Sequence, residues 1–197
     1  YTTLFRSVWN TISQNLFLLK QYPEYIFNFE GAVKYAWMKE YYPAQYEEMK
    51  KFIESGRWHI SGASWDATDT LVPSIESAIR NIMLGQNYYR KEFGVESTDI
   101  FLPDCFGFGW TLPAIASHCG LIGFSSQKLQ WRNKPFYGND KYPFTVGLWQ
   151  GIDGSTIMMT HGYDYNQRFE DGDLSENKDL LELTGHSPLH MVYRYYG

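Results

Sequence analysis

The chain has 197 residues, 44% apolar and 20% charged, which suits one large globular domain and excludes both a short disulfide scaffold and an intrinsically disordered chain. A net charge of −5 gives no long-range attraction for a phosphate backbone or an anionic bilayer, and no apolar run approaches the roughly 20 residues of a membrane span, so neither nucleic acid nor a membrane is expected as a partner. Cys105 and Cys119 lack Cys-x-x-Cys spacing and read as small buried thiols. The aromatic content is high, with 16 Tyr, 13 Phe and 7 Trp; such rings serve core packing and sugar-stacking faces alike, and composition does not choose between them. The chain starts at Tyr1 instead of Met, which leaves room for a removed leader or upstream segment.

Leu4, Phe5, Val8, Trp9, Ile12, Leu16 and Leu19 recur at helical spacing and predict an amphipathic helix that stops near Pro23. Tyr25 to Phe29 reads as a strand, followed by helices from about Ala32 and from Pro43, the latter ending near Gly56. Trp58 to Ser61 is the second strand. Pro73-Ser74 opens the longest predicted helix, which closes at Gly94. Asp99 to Leu102 reads as a strand, Thr111 to Gly120 as a helix, and Leu121 to Ser125 as a strand. Phe144 to Trp149 and Ser155 to Thr160 flank Gly-Ile-Asp-Gly, the signal of a β-hairpin that interrupts the repeat. Met191 to Tyr196 reads as a last strand.

This alternation predicts an α/β fold with parallel strands, either a barrel or an open doubly wound sheet. Five or six strands do not complete a barrel. The whole of residues 1–197 is therefore expected to be a partial catalytic domain of a longer chain, with an inserted hairpin and strands missing at both ends.

Reactive groups in such folds gather beyond the carboxyl ends of the strands. That rule selects Glu30, then Trp65 and Asp66, then Asp104 with Phe106, then Gln127, Lys128 and Trp131, and lastly His161, Tyr163, Asp164 and Tyr165. Asp104, in Leu-Pro-Asp-Cys-Phe-Gly, leaves a strand directly into a tight turn. It suits a nucleophile, a general base or a metal ligand, or simply an Asp that caps the turn. Asp164 between Tyr163 and Tyr165 is placed to be kept protonated as an acid, against the plainer reading of a solvated hairpin-end Asp. Sugar cleavage with retention needs such a pair about 5 to 5.5 Å apart. Trp65, Phe106, Trp131 and Tyr165 would offer ring faces to a sugar. His186 and His190 have metal-pair spacing, but Pro188 between them disfavours the helix that would align them. His59 reads as a hydrogen-bonded structural histidine.

The stretches Phe27-Asn-Phe-Glu-Gly31, Tyr35-Ala-Trp-Met-Lys-Glu-Tyr-Tyr-Pro43, Gly56-Arg-Trp58, Pro73-Ser-Ile-Glu76, Leu102-Pro-Asp-Cys-Phe-Gly107, Phe124-Ser-Ser-Gln-Lys-Leu-Gln-Trp131 and Trp149-Gln-Gly-Ile-Asp-Gly-Ser155 resemble, in order and spacing, the catalytic domain of the family 38 glycoside hydrolases, the α-mannosidases. The resemblance implies a seven-stranded β/α barrel, removal of terminal α-mannose from glycans by a retaining mechanism, and one divalent cation, usually zinc. It implies that Asp104 is both nucleophile and metal ligand, that Phe106 and Lys128 lie beside the bound sugar, and that Asp164 is the acid/base. The family's other metal ligands have no match here, so the segment by itself is expected neither to hold zinc tightly nor to hydrolyse mannosides. A noncatalytic carbohydrate-binding domain and a metal-dependent carbohydrate deacetylase are the alternatives. The compartment, cytoplasmic or periplasmic or secreted, and homo-oligomer formation stay open.

Overall fold

A computed structural model of the chain describes residues 2–105, 107–126 and 146–161. The expected strand at Met191 to Tyr196 and the pair His186 and His190 lie outside the described residues.

Helix α1 (Thr2–Gln21) buries Val8, Ile12, Leu16 and Leu19, the stripe that its three- and four-residue spacing dictates. Strand β1 (Phe27–Glu30), helices α2 (Ala32–Tyr41) and α3 (Pro43–Glu54), and strand β2 (Trp58–Ser61) follow. Pro43 opens α3 at its first turn, where a missing N–H costs nothing. Strands β1 and β2 pair in parallel, Phe27 opposite Trp58 and Glu30 opposite Ser61.

Helix α4 (Ile75–Phe93) is capped by Ser74, whose hydroxyl accepts from the Ser77 N–H at 3.2 Å, and it is closed by Gly94. With 19 residues against 20 in α1, it is not the longest helix, because the first periodic stripe runs unbroken to Gln21. Strands β3 (Asp99–Phe101) and β4 (Gly123–Ser126) flank helix α5 (Leu112–His118), and the predicted hairpin is formed by β5 (Val146–Gln150) and β6 (Thr156–His161). The second sheet runs β3-β4-β6-β5, parallel throughout except for the antiparallel β5 at its edge.

The two sheets meet at a seam between β2 and β3. There the Ala63 N–H donates to the Asp99 carbonyl at 2.8 Å, and the Gly62 N–H donates to Asp99 Oδ1 at 3.1 Å. A carboxylate thus stands where a strand ladder would otherwise continue. Helix α4 lies directly on the chain leaving β2: a Cβ at Gly85 would come within 2.1 Å of the Ala63 carbonyl oxygen. Only glycine allows that approach.

Alternation along the parallel strands separates two faces. Phe27 and Trp58, then Ile100, Phe124, Ile157 and Met159, face the helices and form two apolar cores. The opposite face carries Asn28, Glu30, Ser61, Asp99, Ser125 and Thr160, with Phe101 and Met158 among them. Gly62 brings the two sheets together on that face, since a Cβ there would lie 3.2 Å from the Glu30 Cβ and 3.4 Å from the Phe101 Cβ. The architecture is α/β, with six strands among the described residues. Cys105 and Cys119 are half-buried free thiols, not fully buried ones, because each sits at the rim of the second core. No described helix is long and apolar enough to cross a membrane.

Candidate active site

Short parallel strands end together, so their exits share one rim. Asp104 is exposed in the turn just after β3. Two residues upstream the Leu102 N–H donates to the Ser125 carbonyl at 3.0 Å, which ties the start of this turn to β4. One residue downstream the Cys105 thiol donates to the Thr68 carbonyl at 3.1 Å. Farther on, the Thr70 hydroxyl donates to the Gly107 carbonyl at 2.7 Å. Leu71 packs over Gly107: an added Cβ would lie 2.5 Å from Leu71 Cδ1, so any side chain there would require the exposed leucine tip to move.

The loop opposite is itself organised. Asp69 Oδ1 accepts from the Leu71 N–H at 2.7 Å and from the Val72 N–H at 3.1 Å, an Asx turn that folds the chain ahead of Pro73. Asn81 of α4 fastens the stretch before it, donating to the Asp66 carbonyl at 2.8 Å and accepting from the Asp66 N–H at 3.1 Å.

The rim is acidic. Burial, followed by the carboxylates of Asp69, Asp104 and Glu30, pushes the Cys105 thiol up to about 11, so it stays protonated at neutral pH and remains a donor. Glu30 is paired with Lys34, one helical turn on, and that ammonium also lies 5.5 Å from the Phe29 ring centroid.

Of the residues selected from the sequence, Asp104, Glu30 and Asp66 stand at strand exits. Trp65 is half-buried, and its ring meets Tyr88 edge-on at 5.8 Å as part of the first core's margin. Phe106, Gln127, Lys128, Trp131, Tyr163, Asp164 and Tyr165 lie outside the described residues, as does the side chain of His161. Sequence reading passed over Asp69 and Thr70. Asp69 carried a signal, an Asp shortly before Pro that favours an Asx turn. Thr70 carried none, since its partner is 37 residues away.

The donor set bears on a metal. Among the described residues no group of three or more His, Cys, Asp or Glu side chains gathers to hold an ion. Asp104 alone supplies one carboxylate, so these residues by themselves do not fit a divalent cation.

Residues 2–185 match the model of the glycosyl hydrolases family 38 N-terminal domain. The chain is 36% identical over 177 residues to alpha-mannosidase G of Dictyostelium discoideum, covering 86% of this chain and 16% of that protein. The structure of an alpha-mannosidase from Enterococcus faecalis superposes with a TM-score of 0.68 at 21% identity, covering 97% of this chain and 21% of the other. A 4-alpha-glucanotransferase from Thermococcus litoralis superposes equally well, with a TM-score of 0.70 at 16% identity, covering 93% of this chain and 28% of the other. Backbone likeness therefore shows the fold and does not separate one sugar chemistry from another.

Proposed function

The chain belongs to glycosyl hydrolase family 38, and from that membership we propose that residues 1–197 are a partial catalytic domain of a longer α-mannosidase, with Asp104 as its nucleophile. The chain spans about a sixth of the length of the Dictyostelium relative, which supports a parent with further strands and domains. Five parallel strands in near-consecutive order, β1, β2, β3, β4 and β6, support their place in a seven-stranded β/α barrel interrupted by the β5-β6 hairpin.

One observation carries the reading: Asp104 is an exposed carboxylate just beyond the exit of parallel strand β3, in a turn tied down on both sides. In the proposed reaction Asp104 attacks the anomeric carbon of a terminal α-mannoside as the glycosidic C–O bond breaks, and Asp164 gives its proton to the departing oxygen. A covalent mannosyl ester on Asp104 results. Asp164, now a carboxylate, takes a proton from water; the water oxygen attacks the same carbon, releases mannose and restores Asp104.

Phe106, Trp131 and Tyr165 are proposed as ring faces for the sugar, with Trp65 behind them and Lys128 as a cation beside the nucleophile. A zinc-type cation would require donors from outside the described residues to join Asp104. The steps above run through side chains alone.

Replacing Asp104 by Ala in the full-length protein tests the reading. Hydrolysis of an aryl α-mannoside should fall by about 10³-fold or more while the protein stays folded. A variant that keeps its turnover overturns the assignment. A wild-type protein that binds mannosides with no turnover points to a noncatalytic binding domain, and release of acetate instead of mannose points to a deacetylase.

A further inference from the structure

Asp104 is joined to its strand by backbone with no regular secondary structure, yet a nucleophile must approach the anomeric carbon within a few tenths of an ångström of one direction. Upstream, the Leu102 bond to Ser125 fixes where the turn begins. Downstream, two polar contacts come from one neighbouring segment, residues 68–71.

We propose that this segment is a brace for the nucleophile: the bond from the Cys105 thiol to the Thr68 carbonyl and the bond from the Thr70 hydroxyl to the Gly107 carbonyl together set the direction in which Asp104 leaves β3, with Thr70 as the positioning residue. The proposal rests on the assignment of Asp104 as the nucleophile and adds what holds it in place.

Three features support the brace. Its own shape is fixed by the Asp69 turn and by Asn81, so it can transmit position instead of following the turn it touches. Leu71 also lies against Gly107, its Cδ1 2.5 Å from where a Cβ would stand, so the two segments meet by side-chain packing as well as by hydrogen bonding. Beneath the brace is a cavity of about 40 Å³ lined by Thr68, Asp69 and Thr70 together with Ile100, Leu102 and Thr111. The space is partly open and keeps the segment from close packing on Ile100 and Leu102, so the rim hydrogen bonds carry more of the alignment.

The test uses the full-length protein and a fluorinated α-mannosyl fluoride that loses fluoride to form the mannosyl ester and releases it slowly. Thr70→Val keeps the volume and removes the donor. The prediction is that mannosylation slows about 10- to 100-fold with KM for the aryl mannoside within about threefold, and that Thr70→Ser recovers most of the rate. Merely weakened folding would lower the concentration of active enzyme without slowing mannosylation of the active fraction.

A folded Thr70→Val protein that labels at the wild-type rate overturns the brace. If Thr70→Val fails to fold, Cys105→Ala removes the other bond, and a folded Cys105→Ala protein with an undiminished rate overturns it equally. Peptide mapping separates the two readings: label on a residue other than Asp104 overturns the nucleophile assignment itself, while label on Asp104 at full rate in the Thr70 variant overturns the brace alone.

Discussion

The two halves of the molecule are packed with different materials. The first core, between α1, α2, α3 and the β1-β2 sheet, is aromatic: Phe27, Tyr35, Tyr46, Trp58 and Tyr89 are buried there, with Phe27 and Trp58 meeting edge-on at 4.6 Å. The second core, under β3 to β6, is mainly aliphatic, built on Ile82, Ile100, Leu102, Ile115, Leu121 and Ile157. Buried rings bring polar handles that need partners, and the first core supplies them. The Trp58 Nε1–H donates to the Tyr35 hydroxyl at 3.0 Å, and that hydroxyl donates to the Phe29 carbonyl at 2.8 Å. Burial drives the Tyr35 and Tyr46 hydroxyls far above the ordinary tyrosine range, so they act as neutral donors. Aromatic richness here is chiefly a scaffold of rings and hydroxyls. The proposed nucleophile stands over the aliphatic half.

That contrast can be broken. Trp58→Ala removes a fully buried ring and its hydrogen bond, and should cost about 3–5 kcal/mol in urea unfolding followed by circular dichroism. A cost below 1 kcal/mol would mean that the aromatic network is not the scaffold described. Gly85→Ala drives a methyl group into the Ala63 backbone where α4 bears on the exit of β2; it should cost about 1–3 kcal/mol by the same measurement. Tyr46→Phe deletes the donor to Glu92 Oε2 at 3.0 Å and should cost about 1 kcal/mol.

The smallest effect belongs to the aliphatic half. Hydrogen bonds from the Ser155 hydroxyl and N–H, and then from His118 at 2.9 Å, hold the exposed Asp153 carboxyl at about 2, below its ordinary 3.8. A carboxyl depressed in the folded state stabilises it above the unfolded value, and this contribution is lost as pH falls through about 2. Asp153→Asn should therefore be slightly less stable than wild type near neutrality, where the contribution is present, and should lack the shallow acid-side decline between about pH 4 and 2, so that the two proteins converge in acid. An unchanged acid limb in urea midpoints would show that the turn does not hold that carboxylate.

Most elements were legible because their signals are local. The stripe from Val8 to Leu19, Pro43 at a first helical turn, Ser74 as a cap and Gly94 as a stop each act within one or two turns of chain, and each stands where the spacing places it. The Asp153-Gly154 hairpin is equally local. Asp104 was legible as a strand-exit carboxylate. Trp65 was not legible as a core-margin ring, because whether an exit tryptophan turns outward or packs on Tyr88 depends on where α4 places a residue more than 20 positions along the chain. Thr70, as a partner of Gly107, was invisible for the same reason.

Sequence by itself determined the order of helices and strands and the hairpin, since periodicity, caps and turn residues act between chain neighbours. Tertiary structure alone decided the seam at Asp99, the separation of a polar sheet face from two apolar cores, and the meeting of residues 68–71 with the turn after β3. Those features join groups that are far apart along the chain, and only the way α4 and the strands pack brings them within hydrogen-bonding distance.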